Sequence, residues 1–329
     1  MRVAVAGAGI VGLTCAWWLA EAGYDVRVFD PAPGEGATYA AAGMLAPAGE
    51  AWFGEEDLLR LGLASAALWP AFGRRIGVRV ARTGTVLAGF DAGDVAVLAR
   101  AVSLLRSLEV PVSSVTEPVL SDRVAGTAFL PGDAHVNPRS VVEALLALLG
   151  DRVVRSPLPA APAADVVVRC TGAAAHPSLR PVRGEILRVR CTDPPRHMVR
   201  GLVRGEPVYL VPRFDGEVVV GATSESLSDQ PAGPTVGGVL RLLDAARSLV
   251  PSLDRAEVLE VLARDRPGSP DNGPLIGFTG AGELLAAGHG RGGVLLAPIT
   301  AAAVLAHVAG DPPPPVVLPF SASRFQEVS

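Results

Sequence analysis

The first thirty residues constrain the fold most. Val3 to Ala6 is a short apolar strand pattern followed by Gly7-Ala-Gly9-Ile-Val-Gly12. A helix pattern then runs from about Val11 to Glu21, and a second strand pattern, Asp25 to Phe29, ends at Asp30. Each glycine has its own role at this spacing. Gly7 permits a tight turn, Gly9 lets a pyrophosphate approach the backbone, and Gly12 lets the helix pack closely on the strand. The helix N-terminus adds unpaired N–H groups and a partial positive charge for the phosphates. Asp30 stands at about the distance expected of the acid that accepts from a ribose hydroxyl. This unit predicts a bound dinucleotide and serves FAD and NAD alike.

A second glycine-rich turn, Gly288-His-Gly-Arg-Gly-Gly293, opens a final helix pattern, Val294 to Val308. A single Rossmann nucleotide site does not need it. A flavin does, because a helix N-terminus beside the pyrimidine edge stabilises the anionic reduced ring; the bland alternative is a glycine-rich loop without special use.

Between these ends lie helix patterns at Asp94 to Leu108, Pro138 to Leu149 (capped by Asn137) and Val236 to Leu249. Strand patterns occur at Val166 to Arg169, Glu185 to Arg190, Val208 to Pro212, Glu217 to Gly221 and Leu284 to Ala287, with a hairpin turn at Arg213 to Gly216. Gly34 to Pro47 fits neither period, and Pro312 to Pro315 reads as an extended surface tail. The expected fold is α/β: a doubly wound, Rossmann-like nucleotide domain with an inserted α+β substrate domain on a mixed or antiparallel sheet. The expected division is 1–47, 135–176 and 265–329 for the nucleotide domain, and 48–134 and 177–264 for the substrate domain.

Composition removes whole classes of chemistry. There is no lysine, so all 29 basic residues are arginine, and Walker phosphate loops, pyridoxal phosphate enzymes and Schiff-base aldolases are excluded. A net charge of -4 without a polybasic block gives no nucleic-acid footprint. Cys15, Cys170 and Cys191 are far apart, the five histidines are dispersed, and no metal site is expected. The first strand pattern begins at Arg2, so no signal peptide is expected; the helix pattern near the N-terminus carries glycine and charge too early to span a bilayer, and Leu58 to Phe72 reads as an ordinary buried helix. No membrane association is expected, and the cytoplasm is the expected compartment. Arg266 and Arg291, beside glycine-rich loops, are candidate partners for a substrate carboxylate, since guanidinium forks onto both oxygens.

Several blocks together resemble the D-amino-acid oxidase superfamily and, within it, the glycine oxidases of thiamine biosynthesis (ThiO type). They are Gly7 to Gly12 with Asp30, Ala37-Thr-Tyr-Ala-Ala-Ala-Gly-Met-Leu-Ala-Pro47, Arg183-Gly-Glu-Ile186, Tyr209-Leu-Val-Pro-Arg213, Val220-Gly-Ala-Thr-Ser-Glu225, Arg266-Pro-Gly-Ser-Pro-Asp-Asn272 and Gly288 to Pro298. The blocks follow family order across nearly the whole chain. The resemblance implies non-covalent FAD, because no cysteine lies near the Gly288 block. It places Ile10 and Val11 at the FAD pyrophosphate and Asp30 with Pro31 at the adenosine ribose. Ala37, Thr38, Ala42, Gly43 and Met44 fall on a loop over the pyrophosphate and ring, Thr171 and Gly172 at a second approach to the cofactor, and His289, Gly290, Arg291, Gly292, Gly293, Val294 and Leu295 at the pyrimidine edge. Arg266, Arg291 and Tyr209 match substrate-binding and catalytic pocket positions, with Met44 also on the substrate side.

The implied reaction is oxidation of glycine, and of other small amino acids, by hydride transfer to flavin, with dioxygen as the second substrate and imino acid and hydrogen peroxide as products, for the thiazole moiety of thiamine. Relatives form homo-oligomers. Gly290 stands where many relatives carry an aromatic residue, and Pro207 where a polar one occurs, so a wider pocket is expected. The segment 150–164 is shorter than in relatives, with Leu158 standing in for a backbone contact to FAD. The alternatives are a broader D-amino-acid or sarcosine-type amine oxidase, a flavin-binding protein without turnover, and a nicotinamide dehydrogenase.

Overall fold

The computed structural model describes residues 1–226, 233–279 and 282–325. Two sheets organise it. The first has six strands in the order Leu275–Phe278, Leu284–Ala287, Val166–Arg169, Arg2–Ala6, Asp25–Phe29 and Val153–Val154. All its pairings are parallel except that of the outer Leu275–Phe278 strand. Arg2–Ala6 lies between Asp25–Phe29 and Val166–Arg169, so the chain leaves it in one direction and returns on the other side. In such sheets the crevice at the carboxyl ends of the strands, where the winding reverses, is where ligands bind.

The second sheet runs Glu225–Ser226, Arg180–Arg190, Glu217–Gly221, Glu206–Pro212, Met198–Val203, Thr85–Gly89 and Gly126–Leu130, with Glu257–Gly268 also paired to Arg180–Arg190. It is mixed, because Met198–Val203 runs parallel to Thr85–Gly89 while its other pairings are antiparallel.

Most of the expected elements form. The first helix is Ile10–Glu21, the Asn137-capped helix is Pro138–Leu149, and the late helix is Val236–Leu249. The Asp94 pattern is the interior of Ala92–Ser107, which begins two residues earlier because Asp91 and Asp94 form a capping box. The strand expected at Glu185 is eleven residues long, Arg180–Arg190. Its first half holds Pro181 and Gly184, which propensity disfavours but pairing with Glu257–Gly268 secures. Gly34 to Pro47 contains a single-turn helix, Ala37–Ala40, and a two-residue strand, Met44–Leu45. The prolines at 312–315 run along the surface as expected, but the segment after them docks: Val317 and Phe320 are buried and Ser321 bridges Ile276.

The Gly293–Ala309 helix is apolar all round because it is enclosed on several sides. Residues 290–309 are long and apolar enough to cross a membrane by length and composition, but most of that window is buried inside the protein, against Ile10–Glu21 and the Glu56–Arg75 helix. Pro298 inside it lacks an N–H and opens the backbone locally. The Leu295 carbonyl accepts from Ser65 Oγ (2.6 Å) and Trp69 Nε1 (2.9 Å), so the Glu56–Arg75 helix satisfies the break.

Candidate active site

Four loops meet at the carboxyl edge of the parallel strands. Gly7 follows the first strand with φ +99°; a Cβ there would lie 2.5 Å from the Cys170 carbonyl, so the first loop is pressed against the turn after Val166–Arg169. A Cβ on Gly12 would lie 2.0 Å from the Gly7 carbonyl, so helix and turn close on each other only through a glycine. Gly9 differs: a Cβ would meet only the Thr38 hydroxyl, at 3.3 Å. Its freedom from side-chain bulk faces outward, which is what close approach of a diphosphate requires. Thr38 Oγ1 accepts from Ile10 N–H (3.1 Å), tying the Ala37–Ala40 turn to the helix start.

The Asp30 carboxylate is fixed by two backbone donors, Ala8 N–H (2.7 Å) and Ala32 N–H (2.8 Å), one to each oxygen. Each oxygen keeps a further lone pair, so a ribose hydroxyl can be received without breaking either bond. Pro31 follows at the surface. Asp30 N–H donates to the Val154 carbonyl (3.1 Å), so the 150–164 segment supplies an edge strand beside this acid; Leu158, half-buried, lies in irregular chain beyond it. Gly172 (φ +64°) and Gly290 (φ +51°) flank the same edge, and a Cβ on either would enter open space. These features fit a long diphosphate-bridged ligand lying across the edge.

His289 reaches inward. It is buried, its Nε2 pairs with Thr300 Oγ1 at 2.9 Å, and burial pushes its pKa down to about 3, so the ring is neutral. What the 289–293 turn offers at the edge is therefore main chain, with Gly292 N–H closed onto the His289 carbonyl (2.8 Å), ahead of buried Val294 and Leu295.

The substrate-side candidates stand on the second sheet. Tyr209 is the cross-strand partner of Gly221, and its ring lies over that glycine: a Cβ there would be 2.0 Å from Cζ. The Arg266 guanidinium lies over Gly184 in the same way, with Cζ, Nη1 and Nη2 all 2.4 Å from where a Cβ would sit. Two glycines on neighbouring strands thus form a floor for an aromatic ring and a cation. Arg266 Nη1 donates to the Thr223 carbonyl (3.0 Å); burial raises the pKa of the Tyr209 phenol and keeps it protonated, against the opposing pull of the Arg266 cation. Met44 and Tyr209 pack on one small apolar cluster with Ala42 and Ile186.

The arginines around this floor differ in one respect. Arg291 Nε donates to Glu50 Oε2 (3.1 Å) and Arg291 Nη2 to Glu55 Oε2 (3.2 Å), while Arg200 Nη1 donates to Glu50 Oε1 (3.2 Å) and Arg183 Nε to Asp265 Oδ1 (2.5 Å). Asn272 Nδ2 also donates to Glu55 Oε1 (2.7 Å). Arg266 has no carboxylate partner among the described residues. The acids that neutralise Arg291, Glu50 and Glu55, carry no sequence signal; they lie in the chain between the Met44–Leu45 strand and the Glu56–Arg75 helix and line a cleft with Leu58, His289 and Leu295. Among the described residues no three His, Cys, Asp or Glu side chains cluster as a metal site.

The family described as FAD dependent oxidoreductase matches residues 2–307. The chain is 38% identical over 317 residues to a putative thiamine biosynthesis oxidoreductase ThiO of Rhizobium etli, covering 92% of this chain and 95% of that one. It is 29% identical over 344 residues to the glycine oxidase of Geobacillus kaustophilus, covering 91% and 90%. The crystal structure of glycine oxidase from that organism superposes with a TM-score of 0.89 over 98% of this chain and 99% of that chain, at 28% identity. With its fold, its glycine cradle and this match over nearly its whole length, the chain belongs to the FAD dependent oxidoreductase family.

Proposed function

We propose that the enzyme is a glycine oxidase that serves formation of the thiazole moiety of thiamine, with 1–47, 135–176 and 265–329 holding FAD and 48–134 and 177–264 shaping the substrate pocket. FAD, when bound, supplies an acceptor for the substrate α-hydrogen and passes the electrons to dioxygen, giving hydrogen peroxide beside the imino acid. Arg266 grips the substrate carboxylate with two parallel N–H donors. The Tyr209 phenol adds a donor, Met44 walls the pocket, and Arg291 with Glu50 and Glu55 stands at its mouth. No side chain is assigned as acid or base; the contribution of the protein is alignment of the α-carbon.

The observation that carries this reading is the Arg266 guanidinium, seated on Gly184 beside a protonated phenol and left without an acid among the described residues while Arg183, Arg200 and Arg291 are each paired with one. The ThiO and glycine oxidase relatives support the choice of substrate. The test is a visible spectrum of the purified protein, followed by peroxide assays with glycine, sarcosine and D-alanine for the wild type and Arg266→Ala. The expected result is a yellow protein that makes peroxide from glycine and a variant that keeps its flavin but raises KM by about a hundredfold or more. A near wild-type KM would remove Arg266 from its role, and peroxide from D-alanine alone would remove the thiamine assignment. The second reading, a broader D-amino-acid or sarcosine-type amine oxidase, is favoured by Gly290, beside which no atom lies within 4 Å of a Cβ position.

A further inference from the structure

The segment from Gly34 to Gly43 has a single turn of helix, yet it must hold one shape if it is to receive a cofactor. Three arginines, from the Glu257–Gly268 strand, the Pro138–Leu149 helix and the turn after Glu206–Pro212, grip it by the main chain. Arg264 Nε donates to the Glu35 carbonyl (3.0 Å), Arg139 Nε to the Tyr39 carbonyl (3.1 Å), and Arg213 Nη2 to the Ala42 carbonyl. Arg213 also donates to the Val136 carbonyl (3.1 Å), and Val136 N–H donates to the Gly43 carbonyl (2.9 Å), so the end of the segment is bound from two directions.

The grips are themselves braced. Glu260 holds Arg139 (2.7 Å), and the Arg139 guanidinium lies 3.7 Å above the Tyr39 ring, with Arg264 5.8 Å from the same ring. Glu260, Arg264 and Arg266 occupy alternate positions of the Glu257–Gly268 strand and so share one face. That strand delivers one arginine to the segment and, two residues on, another to the pocket floor.

We propose that Arg139, Arg213 and Arg264 are positioning residues for FAD: by holding the carbonyls of Glu35, Tyr39 and Ala42 they fix the 35–43 segment in its receiving shape before the cofactor arrives. Thr38, in the middle of the segment, is thereby held against the Ile10 N–H of the glycine loop. A flexible segment would have to be ordered at the expense of cofactor affinity, so the grips act on affinity without touching the ligand. The inference rests on FAD occupying the cradle.

The experiment uses the holoenzyme and the variants Arg264→Met, Arg139→Met, Arg213→Met and Arg264→Lys. Flavin dissociation is followed by the fluorescence of released FAD, and amide hydrogen exchange is measured over 36–43. Loss of one hydrogen bond donated by a charged group is expected to raise the FAD dissociation constant about tenfold, with faster exchange over 36–43 and partial recovery in Arg264→Lys. Arg264→Met is the decisive variant, since Arg264 makes one partly exposed grip and its loss leaves the core intact. A yellow wild type whose Arg264→Met variant holds FAD within twofold as tightly, with unchanged exchange over 36–43, would overturn the assignment while leaving the cofactor reading standing. A wild type that binds no flavin would overturn both.

Discussion

Gly184→Ala offers the sharpest test of how the pocket is built, because it alters the position of Arg266 without changing that residue. A Cβ at 184 would lie 2.4 Å from three guanidinium atoms, and ordinary contact begins at 3.4 Å, so the guanidinium must retreat by about 1 Å. It is the far end of a flexible side chain, so it can move at little cost to stability. The φ of Gly184 is not among the positive ones, and replacing a glycine of ordinary conformation stabilises by about 0.4–1 kcal/mol through the unfolded chain. Function bears the change: the bond to the Thr223 carbonyl is broken, and a displacement of about 1 Å costs on the order of a hundredfold, or about 2.7 kcal/mol. Steady-state peroxide formation with glycine should therefore show kcat/KM reduced about tenfold to a hundredfold, mainly through KM, with an unaltered flavin spectrum and an equal or higher Tm. In an Arg266→Ala background the same change should have almost no further effect, as expected of two substitutions acting through one contact. A kcat/KM within twofold of wild type, or an undiminished effect in that background, would refute the argument that the glycine floor seats the clamp.

Arg291→Ala should raise KM less than Arg266→Ala and lower stability by under about 1 kcal/mol, because its pairs with Glu50 and Glu55 are partly exposed; parallel kinetics and melting curves check both. Gly12→Ala should yield a colourless, destabilised protein, since its Cβ would meet the Gly7 carbonyl, which is backbone and cannot yield; the visible-to-ultraviolet absorbance ratio reports this. Burial raises the Asp133 carboxyl from its ordinary 3.8 to about 7. The folded protein therefore binds more protons there than the unfolded chain, and the cost of the buried charge grows as pH rises from about 4 to 7. Asp133→Asn should accordingly gain Tm relative to wild type at pH 8 compared with pH 5. His135 and His289, both lowered from 6.5 to about 3, act in the opposite sense: the stability associated with their neutral forms is present above about 6.5 and is lost as pH falls toward 3, which melting curves of His289→Gln against wild type would reveal.

The nucleotide half of the fold is legible because its determinants are local. Gly7, Gly12 and Asp30 fall within one β-turn-α-β unit, and each acts on atoms of that unit or of the turn beside it. The pocket is not local. Nothing near Arg266 in sequence marks it as an arginine without an acid among the described residues; that depends on Gly184 arriving from the paired strand and Thr223 from the loop after Glu217–Gly221, while the adjacent Asp265 is taken by Arg183. The glycines at 184 and 221 occur in the blocks that carry the family resemblance, but only the cross-strand register explains them as places where larger side chains lie flat. Glu50 and Glu55 are invisible in the sequence for the same reason, since a carboxylate in a loop has no periodicity. Arg180–Arg190 reads short because its proline and glycine obscure a strand that its neighbours impose.

The Ser65 and Trp69 bonds to the Leu295 carbonyl join positions about 230 residues apart, and the six-stranded sheet likewise takes strands from residues 2–29, 153–169 and 275–287. A nascent polypeptide emerging from the ribosome can form the opening β-turn-α-β unit early, and Phe72 and the Pro138–Leu149 helix then cover part of its helix, but the side that meets Gly293–Ala309 stays open until residues near 300 are synthesised. The faces of Ile10–Glu21 and Glu56–Arg75 that pack on Gly293–Ala309 must wait through most of translation, when unpaired strands and uncovered helices invite aggregation. Production of this protein should therefore respond strongly to chaperone supply and to slower, cooler synthesis.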